Sequence, residues 1–206
     1  MSTPTTIPTA ERSPASGRLV ARMVSGRLVD LQDPDPATIA VEDLAHALAR
    51  VCRFTGNVTE WWSVADHALL CRELVCEAGA SELAVAALHH DSHEAIVGDI
   101  ITPVRQLLDP RRVHALTRRL DAAIAVALEV EVDLLWHPLV VAVDRAAAHL
   151  EAHALQGGTA HLLCHAPNPR FAPRALRSDG PVLAARRFLS ADRRLRGSQQ
   201  DRDGDG

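Results

Sequence analysis

The fold of this chain is decided by residues 63–90, which read SVADHALLCRELVCEAGASELAVAALHH. Ser63 is followed three residues later by Asp66, which is the spacing of a capping box, so a helix is predicted to begin here. Gly79 ends that helix, and Ser81 marks the start of a second one. Two Ala- and Leu-rich helices in direct succession indicate a helical protein, because both residues are strong helix formers.

The composition favours the same fold class. Hydrophobic residues make up 47% of the 206 residues, whereas aromatic residues make up 3% and Tyr is absent. We therefore predict an all-α fold, a compact helical bundle with at most a small N-terminal β-hairpin that turns at Ser25-Gly26. The helices are predicted over residues 41–51, 64–78, 82–94, 110–130, 138–157 and 182–195.

The chain is predicted to form a single domain over residues 18–196. Residues 1–17 are rich in Ser, Thr and Pro and residues 197–206 are poor in apolar side chains, so both are predicted to be disordered tails. A loop is expected around Thr102-Pro103, and residues 159–180 are expected to be irregular because of their Pro and Gly content.

Charge and cysteine content exclude several classes of protein. The formal net charge is -4, whereas a nucleic-acid-binding surface needs basic clusters. No run approaches 18 uninterrupted apolar residues, so no membrane span is expected and the cytoplasm is the predicted location. The four cysteines form no CxxC pair and are interpreted as buried free thiols: Cys52, Cys71, Cys76 and Cys164.

Histidine and aspartate recur at positions from which they could meet in a helical bundle. His67 lies inside the first helix of the opening stretch, His90-Asp91 lies near the end of the next, and Asp144 lies inside a later helix. Their nitrogen and oxygen donors suit Zn, Mn, Fe, Co or Ni. Adjacent residues of a helix point about 100° apart, so His90 and Asp91 can both reach one ion only where a helix end faces a cleft.

Each of these residues also has an ordinary interpretation. A single His on an Ala-rich helix is usually a packing residue. Glu94 and Asp99, which follow His90-Asp91 closely, could cap helices or pair with Arg, and Asp144 could pair with Arg145 or Arg105. The residues alone leave these alternatives open.

Three segments extend the pattern beyond single residues. They are CRFTGNVTEWWSVADHALL (52–70), ALHHDSHEAIVGDIITPVR (87–105) and AVDRAAAHLEA (142–152). Together they resemble the H…HD…D signature of the HD superfamily of metal-dependent phosphohydrolases. The middle segment is similar to the HD-x-x-E…GD…TP run of the bacterial 5′-deoxynucleotidases and the phage HD-domain dNTP (dATP) triphosphohydrolases. The resemblance covers roughly residues 23–195.

The resemblance implies a role for each matching residue. His67, His90, Asp91 and Asp144 would bind one divalent metal ion (Co, Mn, Zn, Fe, Ni or Mg), which would polarise a phosphoryl oxygen and acidify a water molecule. Glu94 and Asp99 fall on the acidic positions that manage the attacking water and the leaving oxygen, in an order left open. The substrate contacts it implies are Arg53 with phosphate, Phe54 with the sugar, and Thr102, Pro103 and Arg105 with the rest of the nucleotide.

The chain departs from the usual family pattern at three positions near the expected pocket. Asn57 follows Gly56 where His is usual, His93 stands where a small residue is common, and Ile101 replaces a frequent Pro. These changes affect the expected substrate choice more than metal binding. His93 could be an additional acid, a phosphate donor or a surface residue.

The expected function is metal-dependent removal of the 5′-phosphate from (deoxy)nucleoside monophosphates. The alternative is a dNTP triphosphohydrolase that releases triphosphate, which the basic residues Arg105, Arg111 and Arg112 would permit. A third interpretation is an HD module that binds nucleotide without turnover, but the presence of Glu94 and Asp99 argues against it. Hydrolysis of a guanosine alarmone is a further alternative, for which the sequence contains no distinguishing feature. By analogy with related enzymes, a nucleotide is the expected partner and the protein is expected to be a homo-oligomer, with the helix at 110–130 as a possible interface.

Overall fold

The computed structural model describes residue 17 and residues 19–157 and 170–203. Apart from Gly17, the predicted N-terminal tail lies outside the described residues, as does Cys164. The elements are β1 (Val20–Arg22), β2 (Leu28–Asp30), α1 (Val41–Leu48), α2 (Val64–Glu77), α3 (Ala84–His89), α4 (Glu94–Val97), α5 (Thr102–Leu107), α6 (Pro110–Ala127), α7 (Val132–Leu135), α8 (Pro138–Leu155) and α9 (Pro181–Asp203). Short 3₁₀ turns precede α1, α2 and α3. The predicted helical fold class is confirmed.

The small N-terminal hairpin is present at the predicted turn. Strands β1 and β2 pair antiparallel with Ala21 opposite Val29. Gly26 in the turn has a φ of +92°, a left-handed conformation that Gly adopts without strain. The tip is held to α1, because the backbone N–H and the hydroxyl of Ser25 both donate to the buried carboxylate of Asp43, at 3.0 and 2.6 Å.

Helix α2 is the centre of the bundle. Its predicted capping box is present: the Ser63 hydroxyl accepts from the Asp66 N–H, and the Asp66 carboxylate accepts from the Ser63 N–H. Most α2 side chains are buried, and those that reach solvent lie in its C-terminal half. It packs against α3, α8 and α9, and two hydrophobic clusters meet on it. Side chains on α2 are therefore positioned from several directions at once.

The helix predicted over residues 82–94 is not continuous. It begins with a 3₁₀ turn at Ser81–Leu83, ends as α3 at His89, and a tight turn leads into α4. In that turn the Ser92 N–H donates to His89 O and the Glu94 N–H donates to Asp91 O, which are i to i−3 hydrogen bonds. Tightening from α to 3₁₀ spacing is a common way to end a helix. The helix is therefore interrupted at His90 and Asp91, the two adjacent predicted ligands.

A buried polar chain anchors this turn to α9. The Ser92 hydroxyl lies 3.0 Å from His89 Nδ1, and His89 Nε2 lies 3.0 Å from Asp192 Oδ1. The edge of the His89 ring also meets the ring of Phe188 at a centroid distance of 5.2 Å. His89 therefore joins the end of α3 to the C-terminal helix.

Other boundaries also differ from the prediction, and α1 ends at Leu48 instead of residue 51. Thr102-Pro103 opens the helix α5 instead of a loop, because Pro is well suited to the first turn of a helix, where its missing N–H has no partner to lose. The helix at 110–130 ends at Ala127 and is followed by the short α7. Helix α9 continues to Asp203, so the C-terminal tail predicted from residue 197 is helical up to that point. Residues 158–169 and 204–206 lie outside the described residues.

Candidate metal centre

The four predicted ligands converge from three helices. His67 lies on α2 and is completely buried, His90 and Asp91 lie in the turn after α3, and Asp144 lies on α8. The Nε2 atoms of His67 and His90 are 3.4 Å apart. Asp144 Oδ1 is 3.2 Å from His67 Nε2, and Asp91 Oδ2 is 3.2 Å from His90 Nε2. Four donor atoms therefore face one small volume.

The turn after α3 explains how neighbouring residues share this volume. In a continued helix, His90 and Asp91 would point about 100° apart. Because α3 ends at His89, their side chains leave from a tight turn, and Asp91 Oδ2 reaches both His90 Nε2 and, at 3.5 Å, His67 Nε2. The helix therefore ends at the point where His90 and Asp91 were expected to need a helix end.

Both imidazoles are oriented through their other ring nitrogen. His67 Nδ1 lies 2.7 Å from Glu151 Oε1 and His90 Nδ1 lies 2.9 Å from the Ala87 carbonyl oxygen. Both partners are acceptors, so each Nδ1 carries the proton and each Nε2 presents a lone pair to the site. Two facing lone pairs beside two carboxylates repel one another unless positive charge lies between them. These donors fit a divalent transition-metal ion.

The pKa shifts within the cluster also favour positive charge at this site. Burial and the charge of Arg53 lower the pKa of His67, but Cys71, Glu151 and Asp144 together raise that pKa well above its usual value. Burial likewise opposes charge on His90, whose pKa is nevertheless raised by the neighbouring acids, Asp91 foremost among the charges. Burial raises the pKa of Asp144, but hydrogen bonds to the two histidines bring it well below its usual value. Protons and a cation therefore compete for this site.

Cys71 lies beside the same cluster. Its Sγ is 3.5 Å from His67 Nε2, one helical turn along α2, and its side chain is fully buried. It forms, with His67, His90 and Asp144, a group whose possible ligand atoms all lie within 4.8 Å of one another. The expectation of buried thiols holds for Cys71, whereas Cys52 is half-buried and Cys76 is exposed. A soft sulfur donor is thus within reach of the centre.

Glu151 belongs to the candidate site and was not singled out from the sequence. It lies on α8, is completely buried, and accepts three hydrogen bonds. Oε1 receives His67 Nδ1–H at 2.7 Å and the Trp62 indole N–H at 2.9 Å, and Oε2 receives Arg53 Nε–H at 2.9 Å. A usable signal existed, because Glu151 follows Asp144 by two helical turns and so lies on the same face of α8. This carboxylate joins a candidate metal ligand to a candidate phosphate-binding residue.

Arg53 and Phe54 lie where the main chain bends sharply before α2. Arg53 is buried against Glu151, and its guanidinium carbon lies 5.5 Å from the centroid of the Phe54 ring. Phe54 and Thr55 have φ angles of 55° and 54°, in the left-handed region that residues with a side chain rarely occupy. The Phe54 N–H donates to Asp99 Oδ2 at 3.3 Å. Strained backbone of this kind is concentrated at functional sites.

Glu94 and Asp99 lie near each other, and Glu94 lies near Asp91. Glu94 is 3% exposed, and its Oε2 is buried with no hydrogen-bond partner among the described residues. Burial raises the pKa of Glu94 well above its usual value, and the charges of Asp91 and Asp99 add to the increase. Asp99 follows Gly98 and holds the backbone of Phe54. The two predicted acids are therefore close to each other and to the candidate ligands.

His93 is not a surface residue. Its side chain is 5% exposed, and its Nδ1 lies 2.9 Å from Oδ1 of Asp121 on α6. The interpretation of His93 as a surface histidine is therefore wrong. Asp121 is itself buried and was not singled out from the sequence, where no motif includes it.

The residues predicted at the nucleotide end of the site lie on α5 and are exposed. Arg105 Nη2 is 3.9 Å from Glu94 Oε1, and its side chain is 48% exposed. Thr102 and Pro103 occupy the first turn of α5, and no contact within the described ranges ties them to the four-donor cluster. Of this predicted set, only Arg105 is brought to the acids by the structure.

Comparison with known proteins identifies relatives. No family model matches the chain. An uncharacterized protein of Rhodobacter capsulatus is 40% identical over 144 residues, which are 66% of this chain and 72% of that protein. The chain belongs to the same family as this protein. The uncharacterized Escherichia coli protein YfdR is 40% identical over 87 residues, which are 42% of this chain and 45% of YfdR.

Both of these relatives are uncharacterized, so they assign no activity to this chain. Within the described residues, no helix is long and apolar enough to cross a membrane.

Proposed function

We propose that this protein is an HD-superfamily phosphohydrolase that removes the 5′-phosphate from (deoxy)nucleoside monophosphates. The observation that carries the proposal is the convergence of His67, His90, Asp91 and Asp144, with both histidines presenting Nε2 to one point. His67, His90, Asp91 and Asp144 would hold the ion. When bound, a divalent ion supplies Lewis-acid polarisation of a phosphoryl oxygen and lowers the pKa of water.

Arg53 is the residue best suited to bind and orient the phosphate. Its guanidinium is fixed through Nε by Glu151, and burial of the pair removes competing water. The charge interaction with Glu151 and the surrounding acids raises the pKa of Arg53 against the effect of burial, so it stays cationic. An oriented guanidinium matches the geometry of phosphate oxygens.

Glu94 and Asp99 are the carboxylates available to move protons during hydrolysis. One exchanges a proton with the attacking water and the other with the leaving oxygen of the nucleoside. Asp99 also holds the strained backbone at Phe54, so it links proton transfer to the position of the Phe54 ring, which we propose contacts the sugar.

The monophosphate is favoured over a triphosphate by the placement of the remaining basic residues. Arg111 and Arg112 have side chains that are 93% and 90% exposed and lie near Asp109 at the start of α6. They face solvent, so they offer no buried charge to further phosphates. Release of triphosphate from a dNTP is nonetheless the alternative that the assay must distinguish.

The test is a product analysis. Purified protein is incubated with Mn²⁺, Co²⁺ or Mg²⁺ and a panel of NMPs, dNMPs, NTPs and dNTPs, and the released species is identified as phosphate, pyrophosphate or triphosphate. We expect inorganic phosphate from monophosphates. Triphosphate from dNTPs would replace the proposal with the alternative activity. No turnover by protein that demonstrably binds metal would leave a nucleotide-binding module.

A pair of variants ties activity to the site. Asp91→Ala should abolish both metal binding and turnover, because Asp91 contacts both imidazoles. Asp33→Ala is the matched control, since Asp33 is exposed, and it should retain both properties. An active Asp91→Ala variant would mean that the assigned site is wrong. The expected homo-oligomer stays a prediction, which light scattering on the same preparation tests.

A further inference from the structure

A groove with a volume of about 290 Å³ lies between α2, α9 and the segment that precedes α9. Its lining from α2 is Asp66, Leu69, Leu70 and Glu73. These residues recur at spacings of three and four, so they share one face of the helix. His67 points about 100° away from Asp66 around the helix axis. The groove therefore lies on a different side of α2 from the candidate metal centre.

Three arginines contribute to the lining of this groove. Arg174 and Arg177 come from the segment before α9, and Arg187 comes from α9 itself. Arg174 is fixed by two hydrogen bonds to the Glu77 carboxylate, at 2.7 and 2.9 Å. Arg177 forms no ion pair with any residue that the structure describes. Arg187 lies 3.1 Å from Asp179, and because both side chains are about half exposed, water weakens this pair. Arg177 and Arg187 are thus available to an anion.

The acids in the lining are satisfied by other groups. The buried Asp66 carboxylate accepts three hydrogen bonds through Oδ2, from the N–H and the hydroxyl of Ser63 and from the hydroxyl of Ser178. Glu73 lies 3.6 Å from Arg72. Both carboxylates therefore have partners, whereas the guanidinium of Arg177 has none among the described residues.

The rest of the lining is mainly apolar. Trp62, Leu69 and Leu70 are buried and form part of the groove. Small-molecule sites commonly combine an apolar lining with a few polar groups that orient the ligand. Two guanidinium groups match a phosphate dianion in charge and in hydrogen-bond geometry. We propose that the groove binds a small organic phosphate, with the phosphate at Arg177 and Arg187 and the apolar part against Trp62.

Trp62 connects the groove to the candidate metal centre. Its indole N–H donates to Glu151 Oε1 at 2.9 Å, and the same oxygen lies 2.7 Å from His67 Nδ1. An occupant that shifts the indole changes the hydrogen bond that orients His67. The organic phosphate should therefore alter the affinity for a metal ion, and by linkage the ion should alter phosphate affinity by the same factor. This coupling rests on the proposed function, whereas phosphate binding in the groove does not.

The test of binding uses phenyl phosphate as the probe and metal-free full-length protein. Isothermal titration calorimetry measures its affinity for the wild type and for variants of the groove. We expect Arg177→Ala and Arg187→Ala each to weaken binding about tenfold, because each removes charged hydrogen-bond donors. Arg186→Ala is the matched control, since Arg186 is exposed on α9 and is not part of the groove, and it should bind like the wild type.

The same probe tests the coupling to the metal centre. The affinity for Mn²⁺ is measured with and without saturating phenyl phosphate, in the wild type and in the Arg177→Ala, Arg187→Ala double variant. We expect phenyl phosphate to change the affinity in the wild type and to have a much smaller effect in the double variant. An equal change in both proteins would place the effect at the metal centre itself and overturn the coupling.

The binding results separate failure of the groove from failure of the metal centre. A wild type that does not bind phenyl phosphate at millimolar concentration, or a double variant that binds it with unchanged affinity, overturns the groove as a phosphate site. If the wild type binds no Mn²⁺ but still binds phenyl phosphate through Arg177 and Arg187, the metal centre and the coupling fail and the groove stands.

Discussion

Replacing Glu151 with Gln should damage stability and metal binding together. Glu151 accepts three N–H groups, from Trp62, His67 and Arg53, and its two oxygens hold all of them in a fully buried position. Glu151→Gln keeps the shape but replaces one oxygen with an NH₂ group that only donates. At least one N–H then loses its acceptor, and the buried guanidinium loses its carboxylate partner.

The size of the effect follows from burial. The side chains of Arg53 and Glu151 are 9% and 0% exposed, so solvent does little to screen their interaction. Removing one partner of a buried ion pair costs about 3–5 kcal/mol. That loss is a large fraction of the roughly 5–15 kcal/mol by which domains are stable. Metal affinity should fall about 10- to 100-fold, since His67 loses the group that orients it.

The assay separates the two effects. Urea unfolding in chelator gives the free energy of unfolding without metal, and Mn²⁺ titration at low temperature gives the affinity of the folded variant. Glu73→Gln is the matched control, because the Glu73 side chain is 44% exposed and lies 3.6 Å from Arg72; it should change stability by less than about 0.5 kcal/mol. A Glu151→Gln variant that lost under about 1 kcal/mol and bound Mn²⁺ normally would refute the reasoning.

Three further predictions concern Phe188, Asp43 and Cys71. Phe188→Ala should lower the free energy of unfolding by about 3–5 kcal/mol in a urea titration, because the ring is completely buried in the cluster between α1, α2 and α9; a loss below about 1 kcal/mol would contradict this packing. Asp43→Asn should cost about 1–3 kcal/mol and speed amide exchange in the hairpin, since Asp43 accepts two hydrogen bonds from Ser25; unchanged exchange would show that the hairpin is held otherwise. Cys71→Ser should leave Mn²⁺ content unchanged, because Mn²⁺ prefers oxygen donors, and a loss of metal would make Cys71 a ligand.

The parts of the fold that could be predicted are those set by neighbours in sequence. The capping box at Ser63 and Asp66 involves residues three apart, and the structure contains both of its hydrogen bonds. The turn at Ser25-Gly26 is equally local. Periodicity and capping identify such features because the interactions that form them lie within one turn of the chain.

The break at His90 could not be predicted from local propensity. Residues 82–94 contain good helix formers and no Pro or Gly, so a continuous helix was the expected result. What stabilises the break comes from elsewhere: Ser92 bonds to His89, and His89 bonds to Asp192, which is 103 residues away in sequence. A long-range contact overrides the helical tendency at the one point where the candidate ligands need it.

The contrast between local and long-range interactions also explains which site residues could be predicted from the sequence. The candidate ligands were found because their motif is short, whereas Glu151, which orients His67, lies 84 residues away in sequence. Asp121, the partner of His93, is likewise 28 residues away. These supports exist only through the packing of α8 and α6 against the helices that carry the histidines. Each sets an imidazole tautomer, and Glu151 thereby fixes the lone pair that His67 would present to a metal ion. A core substitution that shifts α8 against α2 would therefore lower metal affinity without altering any ligand.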